Sequence, residues 1–253
     1  MGKYDRSGKF LGLKDGGNRG SYARPIRTYA LSEAYTMTKI PKLKEYAARA
    51  AKVVIDGQNP NGGWAYGFGQ GVGAHVDLSV TGWCIQALKA FALTGITDPQ
   101  VDEAMDKAID YVKKSQDSAG RFKYKIESGT GKNSLTGTGV LSLQIWKNAK
   151  SPEATKGLDY IIENRLFEDW AKVDVYEWYY HAQACFQSTG VGSSKYWREW
   201  NKNFQQVVVK AQASDGHWPH TKVHWHGDSD MYRTTMTILM LEVYYRYAPM
   251  TKV

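Results

Sequence analysis

A seven-residue pattern governs what this chain can fold into. Gln58-Asn59-Pro60-Asn61-Gly62-Gly63-Trp64 has the form Gln-x3-Gly-x-aromatic, and the same form returns from Gln116 to Phe122 and from Gln212 to Trp218. Recurrence at identical internal spacing is the mark of a fold assembled from supersecondary units, none of which can bury its apolar face alone. An apolar or aromatic pair precedes each glutamine by five and four residues (Val53-Val54, Tyr111-Val112, Val207-Val208), so a helix is expected to end there. Beyond each aromatic a Gly-rich or polar loop leads to a second helix that opens with a threonine, in Val80-Thr81-Gly82-Trp83, Leu135-Thr136-Gly137-Thr138 and Arg233-Thr234-Thr235. Each unit is therefore a helical hairpin.

The first two glutamines are 58 residues apart and the next two 96, about twice a unit of 48, so one degenerate unit lies between them. It is readable as a helix from Pro152 to Arg165 that has lost its glutamine motif, followed by a partner helix opening at Asp174-Val175-Tyr176-Glu177-Trp178-Tyr179-Tyr180. Aspartates mark three second-helix starts in one register, Asp77, Asp174 and Asp230; the remaining one carries Lys132 or Ser134. At the N-terminus Asp5-Arg6-Ser7-Gly8-Lys9-Phe10 copies the spacing of Asp117 to Phe122 and is followed by a helix from Ile26 to Tyr35 with Thr28 in the usual place. The expectation is an all-α chain of about five hairpins. Residues 1–25 form a partial repeat and loop, residues 26–253 one domain, and the first outer helix is either missing upstream or replaced by a polar cap.

Composition narrows the function classes. In 253 residues no apolar run approaches the roughly 20 that a membrane helix needs. The net charge of +8 invites a nucleic-acid partner, but the basic residues are scattered, with only Lys39, Lys42 and Lys44 near one helix start and Lys147 and Lys150 at one helix end. That is the pattern of a solvated face, and no nucleic-acid partner is expected. Cys84 and Cys185 sit in apolar helical stretches without metal or redox spacing and are expected to be buried thiols. No secretory leader is legible, which leaves the compartment open.

The glutamine motif, with its hydrophobic pair and Thr-led helix, resembles the QW repeat of the superfamily of squalene–hopene cyclases and protein prenyltransferase β-subunits, and the resemblance runs from Asp5 to Pro249. Asp77-Leu78-Ser79-Val80-Thr81-Gly82-Trp83 and the closing Leu241-Glu242-Val243-Tyr244-Tyr245-Arg246-Tyr247-Ala248-Pro249 are similar to repeat proteins of this class in planctomycete-like bacteria. The resemblance implies an α/α toroid, with Thr-led helices inside, glutamine-ended helices outside and an apolar or aromatic ligand within. The glutamine itself reads as a staple, its amide bridging the open carbonyls of one helix end and the open N–H groups of a neighbouring helix start.

In the cyclases the resemblance implies an aspartic acid backed by further carboxylates; here Asp77 and Asp230 are the candidate acids, without that cluster. In the prenyltransferases it implies zinc held by Asp, Cys and His; here no Asp-x-Cys step occurs. His181 and Cys185 share a helix face, and His217, His220, His224 and His226 lie within ten residues, so zinc or another transition metal is a candidate cofactor at that loop. Trp83, Tyr176, Trp178, Tyr179 and Tyr232, with His181, are the expected lining of a binding cavity. Three functions fit this reading: a binding or scaffolding toroid, with a small-molecule ligand, a protein partner or self-association; a diverged isoprenoid enzyme using Asp77 or Asp230; and a carbohydrate-active α/α barrel with Arg24, Arg27 or Arg233 beside an acid. A missing outer helix would leave Ile26, Tyr29 and Leu31 exposed.

Overall fold

The computed structural model describes residues 3–4, 10–11, 18–69, 71, 73–221 and 229–245, without the side chains of residues 3, 4, 10, 11, 18 and 19. It is 68% helix and 3% strand, an all-α protein. No helix among the described residues is long and apolar enough to cross a membrane. The chain divides into two compact units, 1–114 and 115–253.

In the first unit, two-residue strands β1 (Lys3–Tyr4) and β2 (Phe10–Leu11) pair antiparallel ahead of α1 (Asn18–Thr38) and α2 (Pro41–Asp56). The short antiparallel pair β3 (Trp64–Ala65) and β4 (Val76–Asp77) then leads into α3 (Leu78–Ala92) and α4 (Pro99–Lys114). The helix expected from Ile26 to Tyr35 is longer at both ends. Its polar face is satisfied internally, since the Thr28 hydroxyl donates to the Arg24 carbonyl and the Ser32 hydroxyl to that of Thr28. Ile26 is exposed, and Tyr29 and Leu31 are half-buried. The aspartate-led pattern before it, Asp5 to Lys9, lies outside the described residues.

The second unit holds α5 (Asn133–Ile145), α6 (Pro152–Asn164), α7 (Val175–Gln187), α8 (Ser194–Ala211) and α9 (Asp230–Leu241). A 3-10 turn at Trp170–Lys172 precedes α7. The second helices α3, α5 and α7 are buried over most of their length. Every residue of α5 from Leu135 to Ile145 is buried, whereas α4 buries only the stripe that includes Val101, Ala104, Met105, Ala108 and Val112. α9 is less covered, with Arg233, Thr237 and Met240 buried. α5 and α7 approach so closely that a β-carbon at Gly137 would lie 2.6 Å from the Tyr180 backbone carbon. Cys84 and Cys185 are buried thiols, as expected.

The glutamine motif forms one structure three times, though not with the partners expected of it. Gln58 Nε2 donates to the Gly62 carbonyl within its own loop (2.8 Å) and to the Ala104 carbonyl of the next flanking helix (2.7 Å). Gln116 does the same with Gly120 (3.1 Å) and Glu153 (2.8 Å). The amide thus bridges two carbonyls, and among the described residues it meets no helix-start N–H. The open carbonyl at the helix end is met by the indole, Trp64 Nε1 donating to Val54 and Trp218 Nε1 to Val208. Each threonine closes the unit by accepting the backbone N–H of the motif aromatic: Trp64 on Thr81, Phe122 on Thr136 and Trp218 on Thr234.

The degenerate unit replaces this arrangement with an ion pair. Arg165, just past α6, sets Nε 2.6 Å and Nη2 3.1 Å from the two oxygens of Glu177 in the first turn of α7, while its guanidinium stacks on Phe167. A bidentate pair of this kind fixes orientation as well as distance.

Candidate functional site

The start of α3 carries the strongest constellation of polar groups in the first unit. Asp77 precedes the helix in extended backbone, and its Oδ1 accepts the N–H groups of Ser79 (2.8 Å) and Val80 (3.0 Å), as an N-cap does, together with the Ser79 hydroxyl (2.7 Å). The side chain is 0% exposed, and among the described residues Oδ2 has no hydrogen-bond partner. Burial pushes the carboxyl above its ordinary range against the opposing pull of the Ser79 and Val80 bonds.

A chain of hydroxyls runs outward from it. Ser79 Oγ lies 2.8 Å from Tyr22 Oη, which lies 3.0 Å from Tyr66 Oη. Because Ser79 gives its single proton to Asp77, Tyr22 donates to Ser79 and Tyr66 to Tyr22, so all three hydroxyls point the same way. Burial raises the Tyr22 phenol well above its ordinary value. The Tyr66 ring meets the exposed His75 edge-on at 5.2 Å. Every bond of this chain runs toward Asp77 Oδ1, which favours the charged carboxylate and works against the effect of burial.

The other aspartates of the register differ. Asp174 caps α7, accepting from Tyr176 N (3.0 Å) and Glu177 N (3.3 Å). Asp230 is not the cap of α9; Ser229 is. The Asp230 carboxylate is half exposed and accepts both the backbone N–H (2.7 Å) and Nδ1 (2.8 Å) of His220, which hold it below the ordinary range. The register also settles Lys132 over Ser134 as the fourth counterpart, since Lys132 pairs with Phe122 as Asp77 pairs with Trp64.

His217 and His220 do converge on Asp230, His217 Nε2 standing 3.9 Å from Oδ2 while its Nδ1 bonds Asp215. His224 and His226 lie outside the described residues. Among the described residues no group of three or more His, Cys, Asp or Glu side chains is arranged to hold a metal ion.

His181 is enclosed in the second unit. Its Nε2 faces the Asn133 carbonyl at 3.3 Å, which only accepts, so Nε2 carries the proton; Nδ1 faces Glu177 at 3.7 Å. Burial and then the Arg165 charge lower its pKa to about 3, so the ring is neutral at physiological pH. Burial raises the Glu177 carboxyl, with Arg165 pulling the other way.

Of the expected cavity aromatics, Trp178 is buried in a packed cluster with Trp200 (5.1 Å, edge-on), Phe204 and Phe167. Tyr176 and Tyr179 are half-buried and both turn edges to Tyr180, while Trp83 and Tyr232 are half-buried at the starts of α3 and α9. Arg24 donates to the Gly67 carbonyl and covers the Phe68 ring. Arg233 is fully buried, donating to the Val173 carbonyl (3.0 Å) and the Thr221 hydroxyl (2.6 Å) with its guanidinium over Trp170.

Sequence reasoning missed the Arg165–Glu177 pair and the Tyr22–Tyr66 extension of the Asp77 site. The one available signal was tyrosine at a second-helix start and in the loop that follows the motif. Neither the models of protein families nor the curated proteins yield a match to this chain.

Proposed function

We propose that the chain is a binding or scaffolding protein built from QW-type hairpins of the cyclase and prenyltransferase class, its repeats stacking as the staves of an α/α toroid. The observation that carries this reading is the use made of the repeated polar residues. Each glutamine and threonine of the motif, and each tryptophan indole, is engaged in a backbone hydrogen bond that ties the loop to its helices. Asp174 and Asp77 cap helices, and Trp178 packs a core. Residues with these duties hold a surface in shape for a ligand or a partner. The test is incubation with squalene and with isoprenyl diphosphates, followed by product analysis. No turnover is expected; a cyclised or prenylated product would overturn the reading.

One observation favours a second reading, an isoprenoid enzyme that uses Asp77 as an acid. Among the described residues Asp77 Oδ2 is buried without a partner, and burial raises the carboxyl above its ordinary range, the direction an acid requires. If product forms, Asp77→Asn should abolish it; product formation unaffected by that substitution would remove Asp77 from the chemistry.

A further inference from the structure

The three glutamine loops are the same structure with different occupants. At Gln58 and Gln116 a flanking helix lies against the loop. Its carbonyl at one position accepts from the glutamine (Ala104, Glu153), and its carbonyl three residues later sits where a β-carbon of the loop glycine would be, 2.3 Å away for Lys107 at Gly62 and 2.7 Å for Lys156 at Gly120. Both glycines are buried and have positive φ, 97° and 95°. The third loop keeps the geometry, with φ 93° at Gly216, Gln212 Nε2 donating to the Gly216 carbonyl at 2.9 Å, and Ala213 N donating to the His217 carbonyl as Asn59 N does to Gly63. Yet among the described residues nothing lies within 4 Å of a β-carbon built on Gly216. Gln212 and Gly216 are exposed, and Val209, one turn before Gln212, is 73% exposed where its counterpart Ile55 is half-buried.

The filled slots display what fits. Both occupants begin with proline, and from the clamped lysine onward they read Lys107-Ala108-Ile109-Asp110-Tyr111-Val112 and Lys156-Gly157-Leu158-Asp159-Tyr160-Ile161. The small residue after the lysine allows close approach, and the aliphatic residues face the seam. The open loop differs by carrying Asp215 where its siblings carry the neutral Asn61 and Ala119. The side chain of Asp215 is exposed, and its bonds from His217 hold it below the ordinary carboxylate range, so it stays charged. Its charge is opposite to that of the lysine an occupant would bring.

We propose that Val209, Gln212, Asp215 and Gly216 form a docking slot for an amphipathic helix of a partner protein, carrying lysine, a small residue, an aliphatic residue, aspartate, tyrosine and an aliphatic residue in succession. This rests on the hydrogen-bond geometry of the repeats and holds whether or not the chain is catalytic.

The probe is a fluorescent peptide with the sequence of residues 151–165, stapled on the side that is exposed in α6 and shown to be helical by circular dichroism, titrated with the full chain. Saturable binding is expected. Gln212→Ala should weaken it about three- to tenfold, the effect of one neutral hydrogen bond. Val209→Asp should weaken it further, and a glutamate in place of the peptide's lysine should weaken it most at low salt. Circular dichroism and melting of both variants check that they remain folded. A verified helical peptide that fails to bind, or binds both variants as it binds the parent, would overturn the proposal. So would a concentration-dependent dimer of the chain that Val209→Asp dissolves, because a second copy would then be the occupant.

Discussion

The junction from α2 to α3 and the junction from α6 to α7 perform one task by opposite means. At the first, the load is divided among the neutral Gln58 amide, Trp64 indole and Thr81 hydroxyl, with the Asp77 cap beside them. At the second, an ion pair between the Arg165 guanidinium and the buried Glu177 carboxylate stands beside the Asp174 cap in place of the amide, indole and hydroxyl. Distributed neutral bonds each add about 1 kcal/mol and fail one at a time. A buried ion pair gives little net gain over apolar packing, but the loss of one partner leaves an uncompensated charge. The degenerate unit has therefore exchanged tolerance for specificity.

Arg165→Met is the sharpest way to break this contrast and should cost about 3–5 kcal/mol at neutral pH in urea unfolding. The loss should shrink in acid, where Glu177 takes up a proton and no longer needs its partner; a cost below about 1 kcal/mol would mean that the two junctions are equivalent. Gln58→Ala removes two bonds from the neutral junction and should cost about 1–2 kcal/mol, read as a lowered melting temperature. A larger cost than that of Arg165→Met would invert the comparison.

Asp77→Asn should change stability by less than about 1 kcal/mol at neutral pH, since an amide oxygen also caps a helix. Its effect should show in the pH profile. The folded value of Asp77 is raised, so its contribution to stability is full below the ordinary carboxylate value and is lost as pH rises through the folded value; the asparagine variant should lack that slope. The smallest expected effect is none at all. With a folded pKa of about 3, His181 should show no change in its ring resonances between about pH 7 and pH 5, and the stability it contributes should fall only as pH drops below its ordinary value of 6.5. A midpoint near 6.5 would mean that the ring is not enclosed.

Periodicity made the hairpins legible because glutamine, glycine and threonine each have a backbone duty that constrains residue type. The helix ends at Asp56, Lys114 and Ala211 and the starts near Thr81, Thr136 and Thr234 fall where the spacing put them. The duties were harder to read than the positions. Nothing in the spacing distinguishes an amide that meets N–H groups from one that meets carbonyls, and the indole cap joins residues ten apart across a turn. Arg165 and Glu177 carry no repeat signature, having replaced one. The site readings suffered most where one register concealed different surroundings. Asp77 and Asp230 occupy equivalent positions, yet one is enclosed, its carboxyl pushed above the ordinary range, while the other is half exposed and held below that range by His220. Burial sets that difference, and burial depends on neighbours far away in sequence.

The close approach at Gly137 has a kinetic consequence. With the Tyr180 and His181 backbone and the His181 ring packed directly against Gly137 of α5, the two helices have no intermediate separation at which part of the contact survives. Water can reach the amides around Gly137 and Tyr180 only when the pair parts as a whole, so these amides should be among the slowest in the second unit to exchange with deuterium, and their rates should report its global opening.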